Sequence, residues 1–171
     1  MEELKKHIRA IPDFPKKGIL FRDITTLLKN KDAFREAIDV MADLIIGKEV
    51  DLILGVESRG FILAAPIAYN LVLPLNIIRK PGKLPAETVS ESYTLEYGEN
   101  TIELHKDAIE KGDKVVIIDD LLATGGTALA SAHLVEKFGG KVSLLLFLIE
   151  LTALKGKEKL RNYRVESVVK Y

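Results

Sequence analysis

The chain has 171 residues, with 25 basic and 25 acidic side chains and no cysteine. A formal charge of zero argues against nucleic acid as the main partner, because neutralising phosphates takes a basic excess. The lack of cysteine excludes disulfides, thiol nucleophiles, thiolate zinc sites and iron–sulfur clusters, and it is compatible with a reducing, cytoplasmic setting. Hydrophobic residues make up 47% of the chain, which suits one domain over residues 1–171 that buries roughly two-thirds of its unfolded surface.

Residues 1–10 (MEELKKHIRA) read as a charged helical pattern without an apolar signal core. Over residues 32–46, Phe34, Ile38, Met41, Ala42 and Ile45 share one helical face, and Gly47 fits as the stop. Residues 51–56 (DLILGV) predict a short buried strand, followed by a helix over about 60–71 and a strand over about 75–79. No residue between Arg59 and Arg79 is charged, a stretch long enough to span a bilayer. Pro66, Asn70, Pro74 and Asn76 interrupt it, however, and Pro74 should end the helix near Leu71 or Val72. The stretch therefore predicts a buried helix and a buried strand, with no membrane partner.

Residues 80–85 (KPGKLP) read as a loop. Residues 92–97 and 101–105 alternate polar and apolar about residues 98–100, the pattern of a half-exposed hairpin with little core to pack against. Residues 115–118 (VVII) predict a fully buried strand, residues 127–138 a helix closed by Gly139 and Gly140, residues 142–149 another buried strand, and residues 164–169 the last. Buried strands alternating with helices predict an α/β fold, a mostly parallel twisted sheet with helices on both faces. The hairpin interrupts that pattern and should project from it. In such folds ligands bind beyond the carboxyl ends of the strands.

The segment after the strand at 115–118 carries the clearest chemistry. It reads Asp119, Asp120, two leucines, then Ala123, Thr124, Gly125, Gly126 and Thr127 before a helix. The glycines allow a sharp turn that aims successive N–H groups at one anion, and the helix start adds a positive dipole end. The threonines add hydroxyl donors. Two carboxylates would repel a phosphate, so they suit the hydroxyls of an attached sugar, or a metal. A plainer reading makes the acids helix caps and the glycines a turn; two acids joined to Thr-Gly-Gly-Thr at this spacing favour the phosphate cradle. Residues 55–60 (GVESRG) have the glycine spacing of a P-loop, but Phe61 and Ile62 stand where its lysine and hydroxyl residue must be. No G-x-G-x-x-G follows the first strand, which argues against a dinucleotide site. His7, His105 and His133 match no metal spacing.

Residues 115–127 resemble the phosphoribosyl-diphosphate signature of type I phosphoribosyltransferases. Further motifs, FRDIT at 21–25, ESRGF at 57–61, RKPGKLP at 79–85, SYTLEYG at 92–98 and ATGGT at 123–127, resemble the adenine-specific family in order and over nearly the whole chain. The resemblance implies that adenine and 5-phosphoribosyl 1-diphosphate give AMP and pyrophosphate, with Mg²⁺ carried on the sugar diphosphate and no direct protein ligand to the metal. It implies a homodimer. It divides the chain into a base-binding segment at about 1–31 and a hood at about 87–104.

By the same resemblance, Ala123 to Thr127 hold the 5′-phosphate, while Asp119 and Asp120 face the ribose and stabilise its developing positive charge. Glu57, Ser58 and Arg59, across a non-proline cis peptide at Glu57–Ser58, hold pyrophosphate together with Arg79, Lys80 and Lys83. Main-chain groups of Leu20 and Arg22 read the adenine edge, and Phe21 packs on it. Tyr93 and Tyr97 belong to the hood, and Glu96 is the candidate acid for the purine. Plainer readings make Phe21 a core residue, Lys80 and Lys83 ordinary loop lysines and Glu96 a solvated strand residue. Lys17 and Thr26 stand where relatives carry proline, which should loosen the N-terminal loop. Two alternatives are a non-catalytic phosphoribosyl-diphosphate-binding regulator and a transferase for another base. The chain has neither spare length nor basic excess for an appended DNA-binding domain, and the FRDIT and LEYG segments argue against another base.

Overall fold

The computed structural model describes residues 2–94 and 99–171. In chain order it begins with α1 (Glu2–Lys6), β1 (Arg9–Pro12), β2 (Leu20–Asp23), α2 (Thr25–Lys29) and α3 (Lys31–Asp43). Strands β1 and β2 form an antiparallel pair that the sequence pattern did not announce, since these short, mostly exposed strands show no alternation and the one buried residue is the charged Asp23. Asp23 knots this ribbon to α2. Its carboxylate accepts from Arg9 Nε at 3.0 Å, from Thr25 N at 2.9 Å and from Thr25 Oγ1 at 2.8 Å. The Thr25 amide and Arg9 hold its pKa down to about 2. Thr26 is not merely a lost proline: its hydroxyl donates to the His7 carbonyl at 2.7 Å and ties α2 to the start of the ribbon.

Asn30 caps α3, its side chain accepting from the Asp32 and Ala33 amides at 3.1 and 3.0 Å. The helix ends at Asp43, and turns carry the chain to Gly47, whose φ of 78° marks the stop. Then follow β3 (Leu52–Val56), α4 (Arg59–Leu71) and β4 (Leu75–Ile78). Val72, in the left-handed region at φ 55°, closes α4 two residues before Pro74. The hairpin β5 (Thr88–Thr94) and β6 (Glu99–His105) precedes β7 (Lys114–Leu122), α5 (Gly126–Lys137), β8 (Lys141–Glu150), a 3₁₀ turn at Thr152–Leu154, α6 (Gly156–Lys159) and β9 (Val165–Lys170).

Five strands form one parallel sheet in the order β4-β3-β7-β8-β9. One core layer packs α1, α3 and α4, through Leu4, Met41, Leu63 and Ile67, against Val116, Ile118 and Leu146. The other packs α5 and the hairpin against Val115, Ile117, Leu145 and Phe147. No helix among the described residues is long and apolar enough to cross a membrane.

Two expectations change. Strand β7 does not stop at Ile118; it runs alongside β8 to Leu122, because Asp119 pairs with Phe147 and Leu121 with Ile149. The hairpin also has a core. Ile102 and Leu104 are buried, and Val89 and Tyr93 pack against them, because residues two apart on each strand share a face. Its first strand begins at Thr88, and Arg79 and Glu103 exchange backbone hydrogen bonds of 2.9 and 2.7 Å that stitch it to the end of β4. Residues 95–98, which carry Glu96 and Tyr97, lie outside the described residues. Leu104→Ala should cost about 2–5 kcal/mol through the cavity it leaves, read as a fall of several degrees in Tm. An unchanged Tm would show that the hairpin base is not part of the core.

Candidate active site

Strands β3, β4 and β7 end on one side of the sheet, and there a cleft of about 640 Å³ opens. The turn after β3 supplies Glu57, Ser58 and Arg59, β7 supplies Asp119 and Asp120, α5 supplies Thr127, and the hairpin supplies Tyr93, Asn100 and Thr101. Lys80 lines it beyond β4. Glycine lets the first turn of α4 approach β7: a Cβ on Gly60 would lie 2.7 Å from the Ile118 carbonyl oxygen and 3.1 Å from Asp119 Oδ1. The peptide between Glu57 and Ser58 is cis.

Neighbouring residues of a regular strand face opposite sides, yet both acids reach the cleft. Ile118 and Leu121 belong to the same core layer although three residues apart, so the two-residue alternation is broken across Asp119 and Asp120. Asp119 Oδ1 accepts the Asp120 amide at 2.8 Å. Asp120 is 4% exposed, and its Oδ2 lies 2.8 Å from Arg59 Nε without an aligned hydrogen bond. Burial, and then the charge of Asp120, push Asp119 well above the ordinary carboxylate value. Burial also raises Asp120, partly offset by Arg59.

Next to the acids, residues 121–128 and Phe147 enclose a pit of about 70 Å³ with Asp119. Gly125 sits at φ 81°, and α5 starts at Gly126, so the amides of this turn gather at a helix N-terminus. Backbone closes the pit from behind. A Cβ on Gly125 would meet the Gly156 carbonyl oxygen at 2.8 Å, and one on Gly156 would overlap the Ala123 carbonyl oxygen. Buried Glu150 holds that supporting segment through Lys157 Nζ at 3.1 Å.

Glu57 lines the cleft but spends its carboxylate elsewhere, and the other remaining predicted residues lie around the cleft rather than in its lining. Glu57 turns to the chain after β4, accepting from Arg79 Nε at 3.2 Å and from the Lys80 amide at 2.6 Å. Burial alone would raise its pKa, but these donors hold it below its ordinary value. Arg79 thus serves Glu57, and neither Arg79 nor Lys83 lines the cleft. Leu20, Phe21 and Arg22 are not lining residues either. Phe21 stands at the margin, its ring 5.1 Å from the Arg59 guanidinium and edge-on to Phe14 at 5.1 Å. The Arg22 side chain turns away and lies over the Tyr171 ring at 3.6 Å. His105 sits at the hairpin base, its Nε2 3.4 Å from the Ala86 amide. Sequence reasoning missed Asn100, Thr101, Gly156 and Tyr171; no local pattern marks them, because their partners are remote in the chain.

Residues 23–169 match the family described as a phosphoribosyl transferase domain, which defines the class. An adenine phosphoribosyltransferase of Lachnoclostridium phytofermentans is 53% identical over all of this chain and 98% of its own length. The crystal structure of adenine phosphoribosyltransferase from Thermoanaerobacter pseudethanolicus superposes with a TM-score of 0.97 at 54% identity, covering 99% of each chain. That of the Saccharomyces cerevisiae adenine phosphoribosyltransferase, complexed with an imino-altritol bisphosphate and adenine, superposes at 0.91 with 37% identity, covering 98% of this chain and 97% of its own. The chain belongs to the adenine phosphoribosyltransferase family of these transferases.

The acid pair has a thermodynamic signature. With a pKa raised above the unfolded value of 3.8, folded Asp119 keeps its proton to higher pH than the unfolded chain does. Stability is therefore lost as pH rises from the unfolded value toward the folded one. Asp119→Asn removes this loss, and the amide oxygen can still accept from Asp120 N. The Tm of the variant should exceed that of the wild type by a margin that widens as pH rises above the unfolded carboxyl value of 3.8. A margin independent of pH would remove the buried-carboxyl account.

Proposed function

We propose that the cleft joins adenine to 5-phosphoribosyl 1-diphosphate, giving AMP and pyrophosphate in purine salvage. The observation that carries this reading is the juxtaposition, at the end of β7, of two carboxyls, Asp119 half-buried and Asp120 buried, and a glycine turn opening a helix. Ala123, Thr124, Gly125, Gly126 and Thr127 hold the 5′-phosphate with amides and hydroxyls. Asp119 and Asp120 bind the ribose hydroxyls and oppose the positive charge that develops on the ring as the pyrophosphate bond breaks. Arg59 and the amides of Glu57 and Ser58 receive the pyrophosphate with Lys80; Arg79 acts on that turn through Glu57. Arg59 then shares its charge between Asp120 and the leaving group.

The base lies beside Phe21, with the main chain of Leu20 and Arg22 reading its edge. The yeast relative's complex with adenine supports this class of base. So does the exposure of Leu20, at 47%, on the ribbon beside Arg59. Glu96, carried with Tyr97 on the hood, acts as the acid for the purine. Asp119 and Asp120 would stand beside Mg²⁺ carried on the sugar diphosphate, their hard carboxylate oxygens accepting from its water ligands, and the ion would supply charge neutralisation for the pyrophosphate. We place the enzyme, one domain over residues 1–171, in the cytoplasm as a homodimer, and exposed Tyr69 and Val72 at the end of α4 support pairing with a second copy.

Adenine should be turned over far faster than hypoxanthine or guanine, because a carbonyl that accepts adenine's amino hydrogens faces an unpaired oxygen in a 6-oxopurine. Such mispairing is worth several kcal/mol. Comparable rates in a steady-state assay with adenine and hypoxanthine would exclude the assignment. Asp119→Asn and Asp120→Asn should fold, by circular dichroism, and each lose about 10²-fold or more in turnover. A folded double variant turning over normally would exclude the role of the pair.

A further inference from the structure

Tyr93 reaches the phosphate cradle from another part of the fold. It sits on hairpin strand β5, yet its hydroxyl lies 2.8 Å from Thr127 Oγ1 in the first turn of α5. The ring rests on Gly126, where a Cβ would come within 3.1 Å of its Cδ2. Gly126 is helical and has no positive φ, so its backbone conformation does not call for glycine, whereas a Cβ there would press on the Tyr93 ring.

The strand that carries Tyr93 is held in register along α5. Glu91, on the same face of β5, pairs with Lys137 and lies 3.2 Å from His133. Lys137 Nζ also donates to the Ser90 carbonyl at 3.1 Å. Val89, two residues further back, packs into the core beneath α5 and pairs across the hairpin with Leu104. Tyr93 is thus delivered by a fixed strand.

A phenol is the more acidic hydroxyl, so Tyr93 donates and Thr127 Oγ1 accepts. The Thr127 hydrogen is then left for another acceptor, and a hydroxyl that accepts one hydrogen bond donates a stronger second one. A phosphate oxygen next to the turn is such an acceptor. We infer that Tyr93 is a positioning residue for phosphate binding, orienting the Thr127 hydroxyl toward the 5′-phosphate and coupling the hood strand to the cradle. This rests on residues 123–127 being the 5′-phosphate site.

The test is titration calorimetry with ribose 5-phosphate, together with steady-state kinetics, on Tyr93→Phe, Thr127→Val, Thr127→Ser and the Tyr93→Phe, Thr127→Val double variant. Tyr93→Phe keeps the ring and drops one hydrogen bond, so Kd and the KM for the sugar diphosphate should rise about 3- to 10-fold. Turnover should stay within about 2-fold, because the contact serves ground and transition states alike. Thr127→Val should weaken binding at least as much, and adding Tyr93→Phe to it should cost nothing further. Thr127→Ser, which keeps the hydroxyl, should bind as the wild type does. If Thr127→Val weakens binding and Tyr93→Phe does not, or if their effects add, the role of Tyr93 is overturned while the phosphate site stands. If Thr127→Val itself binds normally, the reading of the cradle falls and the inference with it.

Discussion

The cleft depends on how closely the first turn of α4 lies on the end of β7. Gly60 has no side chain to hold the two apart, and a Cβ there would collide with the Ile118 carbonyl. That approach sets Arg59 beside Asp120 and brings the Glu57–Ser58 turn to the same cleft as the acid pair. The β3–β7 register, in which Gly55 faces Ile118, fixes the heights of both strand ends. Parallel pairing thus does more than build a core: it aligns two strand ends so that two loops of unlike charge meet.

Enclosing two carboxyls side by side is costly. Each is deprived of water, and Asp119 also feels the charge of Asp120. Arg59 offsets part of this, chiefly at Asp120. Such a pair is poorly suited to stabilising the fold. It is well suited to a cation forming within reach, because the carboxyls are held in place and need not reorganise. The broken alternation between Ile118 and Leu121 serves the same end, turning both acids to one side.

The hood is anchored along its described strands. Its base is bound to the sheet by Arg79 and Glu103 and to α5 by Glu91, His133 and Lys137, and it buries Leu104 completely. The N-terminal ribbon is tied down in a similar way, by the Asp23 knot and by Arg22 lying over Tyr171, so both ends of the chain bear on the strand that carries Phe21.

Much of this was legible in the sequence alone. Runs such as residues 115–118 and 142–149 announce buried parallel strands because both of their faces need apolar partners. The DDLLATGGT segment announces an anion site because the conformation of Gly125 and the start of α5 are local properties. What stayed hidden was every feature set by a remote neighbour. The extension of β7 through the acids needed β8 beside it, and the core under the hairpin needed α5. Glu57 turned to Arg79, Arg22 to Tyr171 and Tyr93 to Thr127 only once the chain brought those pairs together. Periodicity and turn chemistry are written within a few residues, and so the sequence by itself determined the layered α/β fold and the place of the glycine turn that opens α5. The direction in which each polar side chain points is a competition among distant donors and acceptors, and only the tertiary structure decided it.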